Sequence, residues 1–295
     1  MLKRRWSRWM LAVVVTLGLA AFQRMTGPTH PLRGSVDLGT RTIGYRLLRS
    51  HGGPGGLPVS LEISGTDRVD GTILWKRYPS NETWSPLPME RIGDRLYGEI
   101  PHQPPAGKVE YRVVLEGENG SVELPPVVAR FKGAVPPGVL VPHILSMFLS
   151  MLFATAAFLT ALTAETERRE AGVLVLISMT LLVVGGLVLG PMVQKHAFGA
   201  YWTGWPHGTD LTDNKTAIAF LAWLPATLAA LRGKALRWKV ILGWIVMMGV
   251  FLIPHSLRGS QIDWSEGADT PDSRGARERA VLTLPGDAGP RNNGC

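Results

Sequence analysis

Apolar residues are segregated along this chain. Short runs in which apolar and polar residues alternate fill residues 30–135, whereas long uncharged runs fill most of 139–256. Alternation with a period of two is the mark of a half-buried strand. Val59-Ser60-Leu61-Glu62-Ile63 and Val109-Glu110-Tyr111-Arg112-Val113 show it plainly, and Thr72 to Tyr78 and Leu96 to Ile100 read as further strands. Asn119-Gly120, between Val113–Leu115 and Val122–Leu124, predicts a tight hairpin, because a type I′ turn needs positive φ at two successive residues. Glycine and proline clusters at 52–56 and 101–107 punctuate the strands. Roughly seven strands in about 100 residues predict an all-β immunoglobulin- or fibronectin-III-like sandwich over residues 30–135, a likeness of architecture alone.

The uncharged runs ask for a different solvent. A membrane-spanning helix needs about 20 mostly apolar residues. Val139 to Ala164 and Ala171 to Gln194 contain no Asp, Glu, Lys or Arg, and Thr216 to Leu231 and Val240 to Pro254 are shorter runs of the same kind. They predict a four-helix transmembrane bundle within 138–258, with helices at about 139–164, 171–195, 216–232 and 239–256 and a loop over 197–215. Upstream, Lys3, Arg4, Arg5 and Arg8 precede the apolar run Met10 to Phe22, the layout of a signal peptide or signal anchor over 1–24. Gly18-Leu19-Ala20 is only a weak cleavage site, so an uncleaved anchor is the preferred reading. The expected fold class is an α+β membrane protein: signal anchor, extracytoplasmic β-sandwich, then transmembrane bundle. The tail over 264–295, rich in Gly, Asp, Arg and Pro, is expected to be disordered.

Charge sets the orientation. The net charge of +8 arises from 31 basic and 23 acidic residues, and the bases cluster in alternate connections. Arg168 and Arg169 lie in one turn, Arg232, Lys234, Arg237 and Lys239 in the next on that side, and the opposite loop has only Lys215. By the positive-inside rule the N-terminus and those two turns are cytoplasmic. Residues 30–135 and the C-terminal tail are then periplasmic, in a multi-pass inner-membrane protein. Basic residues used this way give no nucleic-acid stripe, so no nucleic-acid partner is expected. The single cysteine, Cys295, excludes a disulfide framework and a Cys-based zinc or iron–sulfur site.

That topology gathers histidines at one depth. His143, His196, His207 and His255 all fall at the outer ends of helices or in the outer loop, where polar groups suggest a site. His143, Met147 and Met151 share one helix face, and an imidazole with a thioether can ligate haem iron or copper. Asp210, Asp213 and Asp263 are candidate metal-site or outer-shell acceptors for imidazole N–H groups, and Lys195 and Arg258 candidate partners for them or for a propionate. The competing reading is ordinary: interfacial histidines, packing methionines, helix capping by the acids near 210–214, and an aromatic belt of Tyr201, Trp202 and Trp205. Gly186 to Gly190 reads as a close helix contact. The layout resembles that of b561-type cytochromes and ferric-reductase-like proteins, bundles with histidines near helix ends. Those place His pairs toward both membrane faces, so this chain is expected to hold one outer haem b at most.

Three functions follow in order of preference. The first is an accessory or anchor subunit, held in the lipid bilayer and docked through its β-domain and outer loop onto protein partners in a larger membrane complex. The second is a haem- or copper-binding electron-transfer module with one outer-face site. Transport or ligand sensing comes third, because no charged residue lies at mid-span. Walker, GxSxG, HExxH and CxxCH motifs are missing from the sequence, which removes the reactions they serve.

Overall fold

In the computed structural model the chain forms a mixed α+β fold, and the structure describes residues 5–39, 41–63, 68–118, 120–163, 168–254, 259 and 261–265. The expectation of a disordered tail falls on 266–295, outside the described residues. Among the described residues, four helices are long and apolar enough to cross a membrane: Arg5–Thr26, Pro137–Thr163, Arg169–Phe198 and Leu211–Leu231. They are α1 (Arg5–Thr26), α2 (Pro137–Thr163), the continuous stretch of α3 (Arg168–Leu182), a π-helical turn and α4 (Gly190–Phe198), and α5 (Leu211–Leu231). The last helix, α6 (Arg237–Leu252), has 16 residues, and the chain turns into it through Gly233 at a φ of 59°.

The β-unit begins with a hairpin of β1 (Leu32–Leu38) and β2 (Arg41–Leu47). A second sheet has the order β3 (Ser50–Gly52), β11 (Val127–Lys132), β9 (Lys108–Gly117), β5 (Val69–Arg77) and β6 (Ser85–Pro88), with β10 (Gly120–Glu123) also on β9. Its pairings are antiparallel except β3 with β11, which run parallel. A third sheet orders β4 (Leu57–Glu62), β8 (Arg95–Ile100) and β7 (Glu90–Ile92). The period-two pattern is realised directly: Val109, Tyr111, Val113 and Leu115 of β9 are buried, as are Leu57, Val59 and Leu61 of β4. With Ile73, Leu96, Ile100 and Phe131 they make one core. The anticipated hairpin is present, with Gly117 paired to Gly120. Of the aromatic side chains, Trp75 packs against the core, while Trp84 lies outside it with Lys76 and Arg112 over its ring at 4.9 and 4.5 Å.

The helices build a second core around Trp223, Val175, Leu182, Ala157 and Met247. Small residues bring α2 and α3 together, and Ser150 and Ser178 bind each other's backbone carbonyls, each at 2.9 Å. The Trp223 indole donates to the Val175 carbonyl at 3.3 Å. At one end of the bundle Arg5 pairs with Glu170 at 3.1 Å and the buried Arg8 donates to Thr163 at 3.0 Å, so the start of α1 lies beside the end of α2 and the start of α3. The β-unit sits at the other end. There the Gly133 N–H donates to the Ala197 carbonyl at 2.9 Å, and a Cβ at 133 would stand 2.2 Å from the His196 carbonyl oxygen. Only glycine fits that junction. Arg130 of β11 stacks over the Phe198 ring at 5.5 Å, a second tie between the units.

Candidate functional site

The site starts from a break in helical regularity. Between Val183 and Leu189 the helix widens into a π-helical turn. Pro191 has no N–H for the carbonyl four residues back, and its ring crowds that carbonyl, so the regular pattern cannot continue through this point. Gly185 and Gly186 let neighbouring helices close in on the wide turn: a Cβ on Gly185 would lie 2.8 Å from Ser146 Cβ, and one on Gly186 would lie 2.7 Å from Thr216 Cγ2. The Gly185 carbonyl accepts from the Gly190 N–H and also from His143 Nδ1, at 2.8 Å. A carbonyl can only accept, so Nδ1 carries a proton and Nε2 of the neutral ring keeps its lone pair. Met147, one turn further along α2, sets its Sδ 3.1 Å from where a Gly185 Cβ would stand.

Above this wide turn is a cavity of about 510 Å³, between the bundle and the β-unit. His143, Met147, Gln194, Asp210 and Asp213 line it from the helical side, and Ser50, Gly52 and Lys132 line it from the β-unit. Burial, with the positive charges of Arg130 and Arg24 nearby, holds the Lys132 ammonium below its ordinary range. The cavity therefore combines one imidazole, one thioether and two carboxylates with one lysine ammonium.

The connection between α4 and α5 is built around its acids. Asp210 is the N-cap of α5 and accepts from the Thr212 N–H at 2.8 Å. Asp213 Oδ2 accepts from the Thr203 and Gly204 N–H groups at 2.7 and 3.0 Å and from Gln194 Nε2 at 3.1 Å. Asn214 accepts from the Trp205 N–H at 2.7 Å. These bonds fix the chain between α4 and α5 from inside, yet they leave Trp205 78% and Tyr201 60% exposed. Lys215, 2% exposed, ties α5 to α6 by donating to the Ile253 carbonyl.

Compared with known proteins, the chain matches no family model, no curated protein and no solved structure.

The anticipated histidine layer meets this geometry in part. His143, Met147, Asp210 and Asp213 do line one cavity. His196, at the end of α4, and His207, in the loop, are exposed and are not among the residues lining it. His255 and Arg258 lie outside the described residues. Lys195 donates to the Gly199 carbonyl at 2.9 Å and lies over the Tyr201 ring, a helix-end role. Asp263 accepts from Ser265 in the segment that crosses the β-unit, and these bonds hold its carboxyl below the usual range. The imidazole N–H of His143 is satisfied by a backbone carbonyl, and the two acids serve the loop amides. Among the described residues, no three His, Cys, Asp or Glu side chains converge as a metal-binding set. Sequence reasoning missed Gln194, Thr203 and Lys132. It also missed the wide turn, whose signal is the Gly185-Gly186 pair five residues before Pro191.

Proposed function

We propose that this chain is a multi-pass inner-membrane accessory protein, oriented with its basic turns in the cytoplasm, whose periplasmic immunoglobulin-like β-unit and outer loop dock a protein partner of a larger membrane complex. The observation that carries this reading is the loop between α4 and α5. Asp213, Asn214 and Gln194 satisfy its backbone and side chains from below, and the result holds Trp205 and Tyr201 outward. Ordered, exposed aromatic side chains lose little entropy on binding, which is why Trp and Tyr dominate the energetics of protein interfaces. The parallel pairing of the short β3 with the final strand, and the shared core of the six-stranded and three-stranded sheets, support the sandwich reading.

The test is a photo-crosslinking residue at 205 in the otherwise intact membrane protein. The expected result is a discrete protein adduct, lost when Tyr201→Ala is added. Adducts with lipid only would reduce the loop to an interfacial belt and end the docking reading.

A second reading, a single haem b or copper centre, draws on one observation: His143 and Met147 share a cavity, and the Gly185 carbonyl leaves the His143 Nε2 lone pair available. Elemental analysis and a visible spectrum of the purified protein test it. Bound copper or a Soret band that disappears in His143→Ala would support it, and a protein free of both would remove it.

A further inference from the structure

A second recess adjoins that cavity and shares Lys132 and Phe198 with it. It encloses about 220 Å³, and Arg49, Lys108, Arg130 and Lys132 line it together with Tyr78 and Phe198. Among the described residues, no carboxylate contributes to its wall. Asp210, which lines the neighbouring cavity, acts electrostatically on Arg130. Gathering four cations in one small recess is costly unless an anion joins them.

Arg130 is only 7% exposed, its Nη2 reaches the Gly259 carbonyl at 3.3 Å, and its buried Nη1 has no hydrogen-bond partner. Lys108 Nζ is held by Gln261 Oε1 at 2.6 Å, a neutral group that orients the ammonium without cancelling its charge. Burial and the neighbouring Arg130 pull the Lys108 ammonium down to about 8, and burial likewise lowers Lys132, to which Arg24 adds repulsion. The recess thus gathers four cationic side chains, and the single acid acting on them, Asp210 on Arg130, belongs to the neighbouring cavity.

Its place in the fold says which anion. Phe198 ends the longest apolar stretch, and Pro28 and Thr29, also in the wall, follow directly on α1. The recess therefore opens at the level where the apolar helices end and the β-unit begins, the depth of phospholipid headgroups. We propose that Arg49, Lys108, Arg130 and Lys132 form a binding site for a phosphate-bearing anion, supplied by the headgroup of an anionic phospholipid. Guanidinium groups bind phosphate oxygens in paired hydrogen bonds and the lysines add point charge, while Phe198 and Tyr78 border the acyl side.

The experiment uses the full chain in detergent, with phosphatidylglycerol, phosphatidylcholine and inorganic phosphate as separate probes, read by native mass spectrometry. One retained phosphatidylglycerol per chain is expected, with at least tenfold weaker retention in Lys108→Gln/Lys132→Gln. The control Arg33→Gln/Arg46→Gln removes two exposed cations from the β1–β2 hairpin and should retain lipid like the parent. A variant-free readout accompanies it: Lys108 should react with an amine-directed acylating reagent at pH 8, and phosphatidylglycerol should protect it. Equal retention by both double variants, or acylation of Lys108 indifferent to lipid, overturns the site. Protection by inorganic phosphate but not by phosphatidylglycerol overturns the lipid source. None of these outcomes depends on whether Trp205 contacts a protein partner.

Discussion

Tyr111 shows how a single side chain is specified on two levels. Its position in the period-two pattern of β9 buries the ring, and burial pushes the phenol well above its usual pKa, so it stays a neutral donor to the Leu48 carbonyl at 2.8 Å. Tyr111→Phe should cost about 1–2 kcal/mol, since a buried carbonyl loses its partner while the ring still packs, and chemical unfolding measures it. Lys108 gives a pH dependence with a definite sign. Its folded ammonium titrates at about 8 rather than 10.5. Between those values the unfolded chain binds more protons, so stability rises with pH across the window and is flat in this respect below it. Lys132 acts in the same direction. Lys108→Met should flatten part of that rise in unfolding curves taken from pH 7.5 to 10.5. Alternation alone made Tyr111 legible in the sequence. The lowered pKa of Lys108 was not, because it depends on burial in the folded chain and on Arg130, which is 22 residues away in sequence and meets it across the β9–β11 pairing.

Among elements, the stretch from α3 through the wide turn to α4 is the one that makes a cavity. The uncharged run over 171–194 predicted a helix long and apolar enough to cross a membrane, and Gly186 and Gly190 were readable as a close-contact face. The π-helical turn was not readable, since hydrophobic periodicity reports which faces are apolar and is insensitive to one added residue per turn. Gly186→Val should therefore push α5 away through Thr216, and a lowered unfolding temperature together with altered accessibility of His143 is the expected outcome. The α4–α5 connection depends on one carboxylate. Asp213→Ala removes the acceptor for the Thr203 and Gly204 amides, and amide hydrogen exchange at 203–205 should accelerate by about tenfold or more while the β-unit is unchanged. The sequence indicated capping near 210–214. It did not indicate that Asp213 reaches back nine or ten residues, because those bonds exist only once the chain after α4 has folded back over the start of α5.

At the scale of the molecule, two cores meet along a narrow seam. The segregation of patterns along the chain made both units legible, and the placement of Arg5 beside Glu170 puts two of the basic segments at the same end of the bundle. With Cys295 replaced by Ser, single cysteines at Gly233 and at Ser85 should label from opposite sides of the membrane, the former only after permeabilisation; labelling from one side would overturn the orientation argued from charge. What the sequence hid at this scale is the seam itself, for Gly133 looks like any linker glycine until the His196 carbonyl is found where its side chain would be. That glycine lets strand β11 and the end of α4 meet through a backbone hydrogen bond with no cushioning side chain between them, so any larger residue at 133 has to act as a wedge that prises the β-unit off the helix carrying the wide turn.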